Sequence, residues 1–339
     1  MIGEAKRRVS RPGRPMLAVQ PQCAARGAPP TGLTELFRFC FAPAAGGAQE
    51  DNVFALFIEP IGDGPREEAW YTAGEVDGGH AVDIHFMESR FYLAAHLQTA
   101  VSTGQRIDDI VCQAYKRLLT LVRKRGYPHL LRVWNLFPDI NAGCGDAERY
   151  RQFSLGRAVA LDALGYRERH FPAGTAIGTD SGTPLTISLL AGKEPSHAVE
   201  NPRQTSAYHY PRQFGPRSPS FSRAVLLELN GKHQLLVSGT ASIVGHESYH
   251  DGSVGQQVNE TFRNIEALMT RAAAQAKGKL AGCAGRDACF RLYLRRREDL
   301  PAAREALAAH LQANEQIVIL RGDICRRELV LEVEAACAF

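Results

Sequence analysis

Near its C-terminus the chain reads "GDICRRELVLEVEAACAF", a cysteine followed by a strand-like run with two glutamates inside it. Alternation along a strand puts Val330, Glu332 and Glu334 on one face and Leu331, Val333 and Ala335 on the other. Two readings compete. The carboxylates line the solvated face of a half-exposed edge strand, or one of them faces a pocket and works as an acid, because burial against apolar neighbours keeps a carboxyl protonated near neutral pH. Two further stretches carry residues suited to binding an anion. In "ERYRQFSLGRA", Tyr150 and Arg157 stand seven residues apart and so share one face of a helix. "YHYPRQFGPRSPSFSRA" reads as a rigid loop and brings Tyr210, Arg212, Arg217 and Arg223. Arginine suits bidentate recognition of a carboxylate. "VGHESYHDG" gathers His246, Glu247 and His250, but in a Gly-rich loop they need not converge, so no metal is expected. No nucleotide-binding motif occurs either, and no cofactor is expected.

The elements that must position these residues come in a weak internal repeat. "QRIDDIVCQAYKRLLTLVRKRG" places Ile110, Ala114, Leu118 and Leu121 on one helical stripe, and "GQQVNETFRNIEALMTRAAAQ" does so with Val258, Phe262, Ile265 and Met269. Each helix leads to a strand, "LLRVWNLFPDI" or "ACFRLYLRRRED", then a helix, then a closing strand, "TPLTISLLAG" or "RELVLEVEAA". The strands upstream are "NVFALFIEPI" and "EEAWYTAGEV" in the first half, "SRAVLLELN" and "KHQLLVSGTASI" in the second. The expectation is a duplicated β-β-α-β-α-β unit of the α+β class, mixed sheets with helices on one face, the two units paired or closed into a barrel-like array. A ligand pocket is expected at the seam between them. Aligning the closing strands sets Ser188 against Glu332 and Leu190 against Glu334. A carboxylate present in one copy favours a functional role for Glu332.

Bulk properties narrow the classes. A net charge of +4 with scattered basic residues gives no nucleic-acid surface, and the runs "RKR" at 123–125 and "RRR" at 295–297 read as solvated surface. No apolar run spans a membrane. Eight cysteines without a CxxC pair fit free thiols in a reducing cytoplasm, with Cys283 and Cys289 the one candidate small loop. Residues 1–30 read as a loose extension or a strand-like arm around "MLAVQ", not as a secretory signal. The units are then residues 31–195 and 223–339, joined by an active-site loop at 196–222.

These motifs carry a resemblance. "SGTASIVGH", "QVNETFRNIEAL" and "CRRELVLEVEA" look like the strand, central helix and closing strand of the reactive-intermediate deaminase (RidA/YjgF) fold, itself similar to the trimeric chorismate mutase fold. The whole chain is more similar to the chorismatases, through "VWNLFPDINAG", "ERYRQFSLGRA", "FPAGTAIGTD", "NPRQTSAYHYPRQFGPRSPSFSRA", "SGTASIVGHES" and "GDICRRELVLEVEA". That resemblance implies cleavage of chorismate to pyruvate and a benzoate or dihydroxycyclohexadienoate. It points to Glu332 as the acid, with Glu334 as its rival, and to Tyr150, Arg157, Tyr210 and Arg223 as pocket residues. Gly239, Thr240 and Ala241 are expected to form a wall against the substrate. A cysteine at position 325 goes with 3-hydroxybenzoate as product, an alanine with the hydrolytic product; the share of 4-hydroxybenzoate stays open. A chorismate hydrolase, an enamine/imine deaminase and a non-catalytic small-molecule binder are the competing readings. A monomer is favoured over a trimer.

Overall fold

The computed structural model describes residues 15–22, 29–41, 50–101, 105–229, 231–276, 287–312 and 315–338. Residues 1–14 and Cys283, and with Cys283 the candidate small loop, lie outside them.

Two sheets share one strand order. In the six-stranded sheet it is Ala173–Thr179, His129–Pro138, Leu185–Gly192, Tyr92–Thr99, Ile84–Ser89 and Val76–Ala81. In the seven-stranded sheet it is Gln316–Arg321, Asp287–Leu294, Leu331–Ala338, Lys232–Thr240, Ala224–Leu229 and His197–Val199, with Glu59–Pro60 added outside Gln316–Arg321. Ala173–Thr179 runs parallel to His129–Pro138, and Gln316–Arg321 runs parallel to Asp287–Leu294. Each parallel pair is bridged by a crossover containing a helix, as parallel strands require. These two strands extend the expected repeat. "AGTAIGT" is rich in Gly and Ala, which have weak strand preference, so composition hid it.

The first half needs a correction. Val53–Leu56 and Glu67–Thr72 do not open the first repeat but belong to a separate four-stranded sheet, ordered Leu17–Gln22, Glu67–Thr72, Thr34–Phe41, Val53–Leu56. The strands preceding the first helix are Ile84–Ser89 and Tyr92–Thr99, which alternate less clearly because both their faces are covered. The arm around "MLAVQ" is a strand, paired antiparallel with Glu67–Thr72.

Helices cover one face of each repeated sheet. Helix α1 (Ile107–Lys124) and α2 (Arg149–Ala163) pack on the six-stranded sheet, and α3 (Val254–Gln275) and α4 (Leu300–Leu307) on the seven-stranded one. On α3 the expected stripe of Val258, Phe262, Ile265 and Met269 is buried. On α1 the stripe is turned by one residue: Val111, Ala114, Tyr115, Leu118, Leu119 and Val122 are buried, while Ile110 and Leu121 are only partly covered. The bulky Tyr115 and Leu119 pull the wider face inward. Gly156 allows α2 to cross α1 closely, since a Cβ there would lie 2.2 Å from the Asp108 carbonyl oxygen.

The other faces of the three larger sheets converge on one core. Phe37 stacks on Phe54 at 5.0 Å and on Trp70 at 5.7 Å, and Trp134 meets Trp70 edge-on at 5.3 Å. Such aromatic pairs add about 0.5–1.5 kcal/mol each beyond area burial. The four-stranded sheet packs against Ile84–Ser89 on one side and Asp287–Leu294 on the other. It thereby closes the third side of an array whose other two sides are the repeats.

Candidate active site

Leu331–Ala338 is not an edge strand. It lies between Lys232–Thr240 and Asp287–Leu294, with both faces covered. Leu331, Val333 and Ala335 face the helices and Glu332 and Glu334 face inward, as alternation requires; Val330 precedes the strand and packs with the helix-side group. Lys232–Thr240 breaks register against this strand between Val237 and Thr240. The break forms the seam between the repeats. The Gly174 N–H donates to Ser238 Oγ (2.8 Å), Ser238 Oγ to the Ser222 carbonyl (2.5 Å), and the Gly239 N–H to Thr175 Oγ1 (3.0 Å).

A cavity of about 200 Å³ opens at this seam. Among the sequence-chosen residues it brings together Tyr150, Arg157, Tyr210, Arg223, Gly239, Ala241, Cys325 and Glu332. Thr240 is excluded. Its register partner is Val333, on the helix-facing side, and its hydroxyl donates back to the Ser238 carbonyl (2.9 Å).

Glu332 is 6% exposed. Burial, and after it the charge of Glu334, pushes its carboxyl up to about 8, against the opposing pull of Arg132 and Arg223. The backbone comes close because residue 239 is glycine, where a Cβ would sit 1.8 Å from Glu332 Oε1. Glu334 is in a different state. Its oxygens accept from Arg132 Nη2 (2.6 Å), Thr175 Oγ1 (2.5 Å) and Trp134 Nε1 (2.9 Å), and Arg291 Nη1 lies 2.9 Å away. A carboxylate so enclosed has no free oxygen to offer a ligand, and it does not line the cavity.

Two buried arginines line the cavity, both beside the Phe221 ring. Arg157, on α2 one turn beyond Phe153, is 3% exposed, lies over the Phe153 ring (5.1 Å) and the Phe221 ring (5.9 Å), and keeps Nε and Nη2 without a partner in the protein. Arg223 donates through Nη2 to the Tyr210 hydroxyl (2.7 Å) and the Thr205 carbonyl (2.8 Å), and its Nε is unpartnered. Buried N–H groups left over in this way fit carboxylate oxygens of a bound ligand. The exposed Arg212 and Arg217 pair with Asp146, just before α2, and Asp162, in its last turn, and so pin the loop over the cavity.

Cys325 sits half-buried on the segment before the closing strand. Burial, with Glu332 next, pushes its thiol up to about 12, so it stays protonated and is no nucleophile. The segment is fixed by Arg295, which donates to the carbonyls of Leu329 (3.0 Å), Ile324 (3.1 Å) and Arg326 (2.9 Å). The first residue of the "RRR" run is thus a clamp, not solvated surface. His246 pairs with Glu247 (3.1 Å) and His250 faces Glu260 (3.6 Å), so the imidazoles have separate partners.

Sequence reasoning missed Arg326, Phe214 and Phe221. Arg326 lies over Phe214 (4.2 Å) and Tyr210 (5.3 Å), donates through Nη1 to the His246 carbonyl (2.8 Å), and has a buried, unpartnered Nη2. Its place directly after Cys325 was the available signal.

The fold and site define a duplicated α+β protein with a seam cavity lined by two buried arginines and by a carboxyl whose burial favours its neutral form. Comparison with known proteins narrows that class. Residues 68–191 match the family model described as chorismatase FkbO/Hyg5-like, N-terminal. The chain is 36% identical over 296 residues to a 3-hydroxybenzoate synthase from Streptomyces hygroscopicus, covering 84% of each. It is 34% identical over 273 residues to a chorismatase from the same organism, covering 80% of this chain and 79% of the relative. A chorismatase crystal structure at 1.08 Å resolution superposes with a TM-score of 0.83 and 30% identity, covering 95% of this chain and 98% of that one. The chain belongs to the chorismatase family.

Proposed function

We propose that this enzyme cleaves chorismate to pyruvate and 3-hydroxybenzoate, with Glu332 as the proton donor. The observation that carries this reading is a buried carboxyl, pushed upward by burial, at the wall of a cavity that Arg157 and Arg223 also line. Chorismate brings two carboxylates and an enol ether. Arg157, Arg223 and the Tyr150 and Tyr210 phenols hold the carboxylates, and Gly239 and Ala241 form the wall. Glu332 gives its proton to the enolpyruvyl methylene, generating an oxocarbenium ion. The bond from the ether oxygen to the ring then breaks, and that oxygen leaves as the pyruvate carbonyl. The neighbouring ring hydroxyl oxygen attacks the vacated ring carbon and returns a proton to Glu332. The epoxide-like intermediate opens, loses a ring proton and aromatises. All atoms of chorismate appear in the two products and no water is consumed. Cys325, neutral and beside Glu332, keeps water from the oxocarbenium ion.

For this function we divide the chain into residues 31–195, an active-site segment at 196–222 that opens with the short strand His197–Val199, and residues 223–339. The N-terminal sheet fills the third side of the array, which favours a monomer. Among the described residues no helix is long and apolar enough to cross a membrane, and the free cysteines among them suit the cytoplasm. The test is incubation of the purified chain with chorismate. One pyruvate per chorismate is expected, with 3-hydroxybenzoate whose hydroxyl carries no oxygen from labelled water. Dihydroxycyclohexadienoate as the main product makes the enzyme a hydrolase, and no pyruvate rejects the reading.

A further inference from the structure

Glu334 and Thr175 take no direct part in the reaction above, yet they belong to a buried ionic group that joins the three larger sheets. Glu334 is held by Arg132 and Arg291, and Arg291 Nη2 also donates to Glu68 Oε1 (2.6 Å) on the N-terminal sheet. Two arginines and two glutamates balance, so the group carries no net charge to share. Thr175 links it to the active site. Its hydroxyl donates to Glu334 Oε2 (2.5 Å) while accepting from Arg132 Nη2 (2.5 Å) and from the Gly239 N–H (3.0 Å). Gly239 is the residue whose backbone abuts Glu332.

The groups facing Glu332 decide its proton. They are Glu334 on its own strand, Tyr293 opposite it on the neighbouring strand, Arg132 from the first repeat, Arg223 just before the strand Ala224–Leu229, Tyr150 from α2, and Cys325 from the preceding segment. Arg132 is already engaged by Glu334, and Arg223 is turned to Tyr210 and Thr205. A dianionic substrate then neutralises Arg223 and Arg157. Glu332 is left without a cation to stabilise its ionised form.

We propose that Glu334 is a positioning residue for the reaction: it engages Arg132 and Arg291 so that Glu332 retains its proton, and through Thr175 it fixes the Gly239 backbone against that carboxyl. This rests on Glu332 being the proton donor. The raised titration of Glu332, to which Glu334 contributes second after burial, agrees with it.

The test compares pH profiles of kcat/KM for chorismate cleavage. In Glu334→Gln the side chain keeps its size but frees Arg132, for which Glu332 becomes the nearest carboxyl. The alkaline limb is expected to move down by roughly one to two pH units, so that the loss is larger at alkaline than at acid pH. Arg132→Gln is the independent variant should Glu334→Gln fail to fold, and its limb is expected to move up. The double variant, lacking both charges, should return the limb toward that of the wild type. An unmoved limb in these variants, or a loss uniform across pH, overturns the proposal. Glu332→Gln separates the two readings. Substantial activity in that variant rejects Glu332 as donor, whereas an inactive Glu332→Gln beside unmoved limbs rejects the role of Glu334 alone.

Discussion

Leu185–Gly192 and Leu331–Ala338 occupy the same place in the two repeats. Each is antiparallel to the strand that follows its repeat's first helix, on one side, and to the strand that precedes that helix, on the other. Each sends small and branched apolar residues toward its helices, Ile187 and Leu189 in one case, Val333 and Ala335 in the other. Their inner faces differ. The first presents Ser188, hydrogen-bonded to His96 Nδ1 (2.8 Å), whose ring stacks on Phe54 at 4.9 Å. The second presents Glu332 at the cavity and Glu334 in the ionic group. The pairing beside them differs too. Tyr92–Thr99 runs in unbroken register along the first closing strand, which breaks instead on its other side, against His129–Pro138 between Leu190 and Ala191, whereas Lys232–Thr240 slips between Val237 and Thr240. A position in the fold does not make a site by itself. The break at Ser238–Gly239, which admits the backbone to Glu332 and opens the seam, is what separates the copies.

The comparison breaks most directly at Glu332. Glu332→Gln is expected to fold and to lose pyruvate release by at least ~10²–10⁴-fold. It is also expected to be more stable than the wild type at alkaline pH. The folded carboxyl titrates near 8 against an ordinary 4.5. Stability is therefore full below about 4.5 and is lost as pH rises through 8, by on the order of a few kcal/mol. Thermal melts at pH 5 and pH 9 check this, and equal pH dependence in both proteins contradicts it. His96, the partner of the aligned Ser188 in the first repeat, works with the opposite sign. Burial lowers it from 6.5 to about 3, so its contribution is present above 6.5 and lost as pH falls through 3. The two inner faces thus limit stability from opposite ends of the pH scale.

The arginines come next. Arg157→Ala or Arg223→Ala removes a charge-assisted hydrogen-bonding partner, worth about 1.5–3 kcal/mol. Chorismate affinity measured by calorimetry should fall roughly 10- to 150-fold. Unchanged affinity in both would place the carboxylate clamps elsewhere, with Arg326 the next candidate. At the first repeat, Ser188→Ala should leave kcat/KM unchanged and cost about 1–3 kcal/mol of stability by orphaning the buried His96 Nδ1. A changed rate there would mean that the first closing strand also serves catalysis.

Much of this was legible in the chain. Alternation put Glu332 and Glu334 on one face without saying whether it points to solvent or inward, the α3 stripe was correct, and helical spacing put Tyr150 and Arg157 on one side of α2. What escaped depends on partners far away in sequence. Nothing local distinguishes Glu334, held by Arg132 some two hundred residues earlier, from Glu332, which has no such clamp. The register slip that turns Thr240 toward the helices while Gly239 and Ala241 line the cavity is a property of two paired strands. Thr240 was misplaced for that reason. The N-terminal sheet was read into the repeat because its strands have the right composition, and only their pairing assigns them elsewhere.

The smallest change in rate, and the sharpest in outcome, is expected at Cys325. Its thiol is held protonated and it lies on a segment that Arg295 keeps rigid, so trimming the sulfur should not let the backbone collapse into the space. Cys325→Ala then leaves room near the reacting carbon for about one water, which needs ~30 Å³ and polar partners. Glu332 and the neighbouring backbone supply such partners. Water competes with the internal hydroxyl for the oxocarbenium ion, and attack there adds its oxygen to the pyruvate carbon and leaves both ring oxygens in place. Dihydroxycyclohexadienoate should rise at the expense of 3-hydroxybenzoate, with one pyruvate still released per chorismate and total turnover within a few-fold of wild type. In labelled water the additional label should enter pyruvate, distinguished from exchange by quenching early. A product ratio equal to that of the wild type would make Cys325 a packing residue and move the choice of product to the wall formed by Gly239 and Ala241, of which Gly239 abuts the acid.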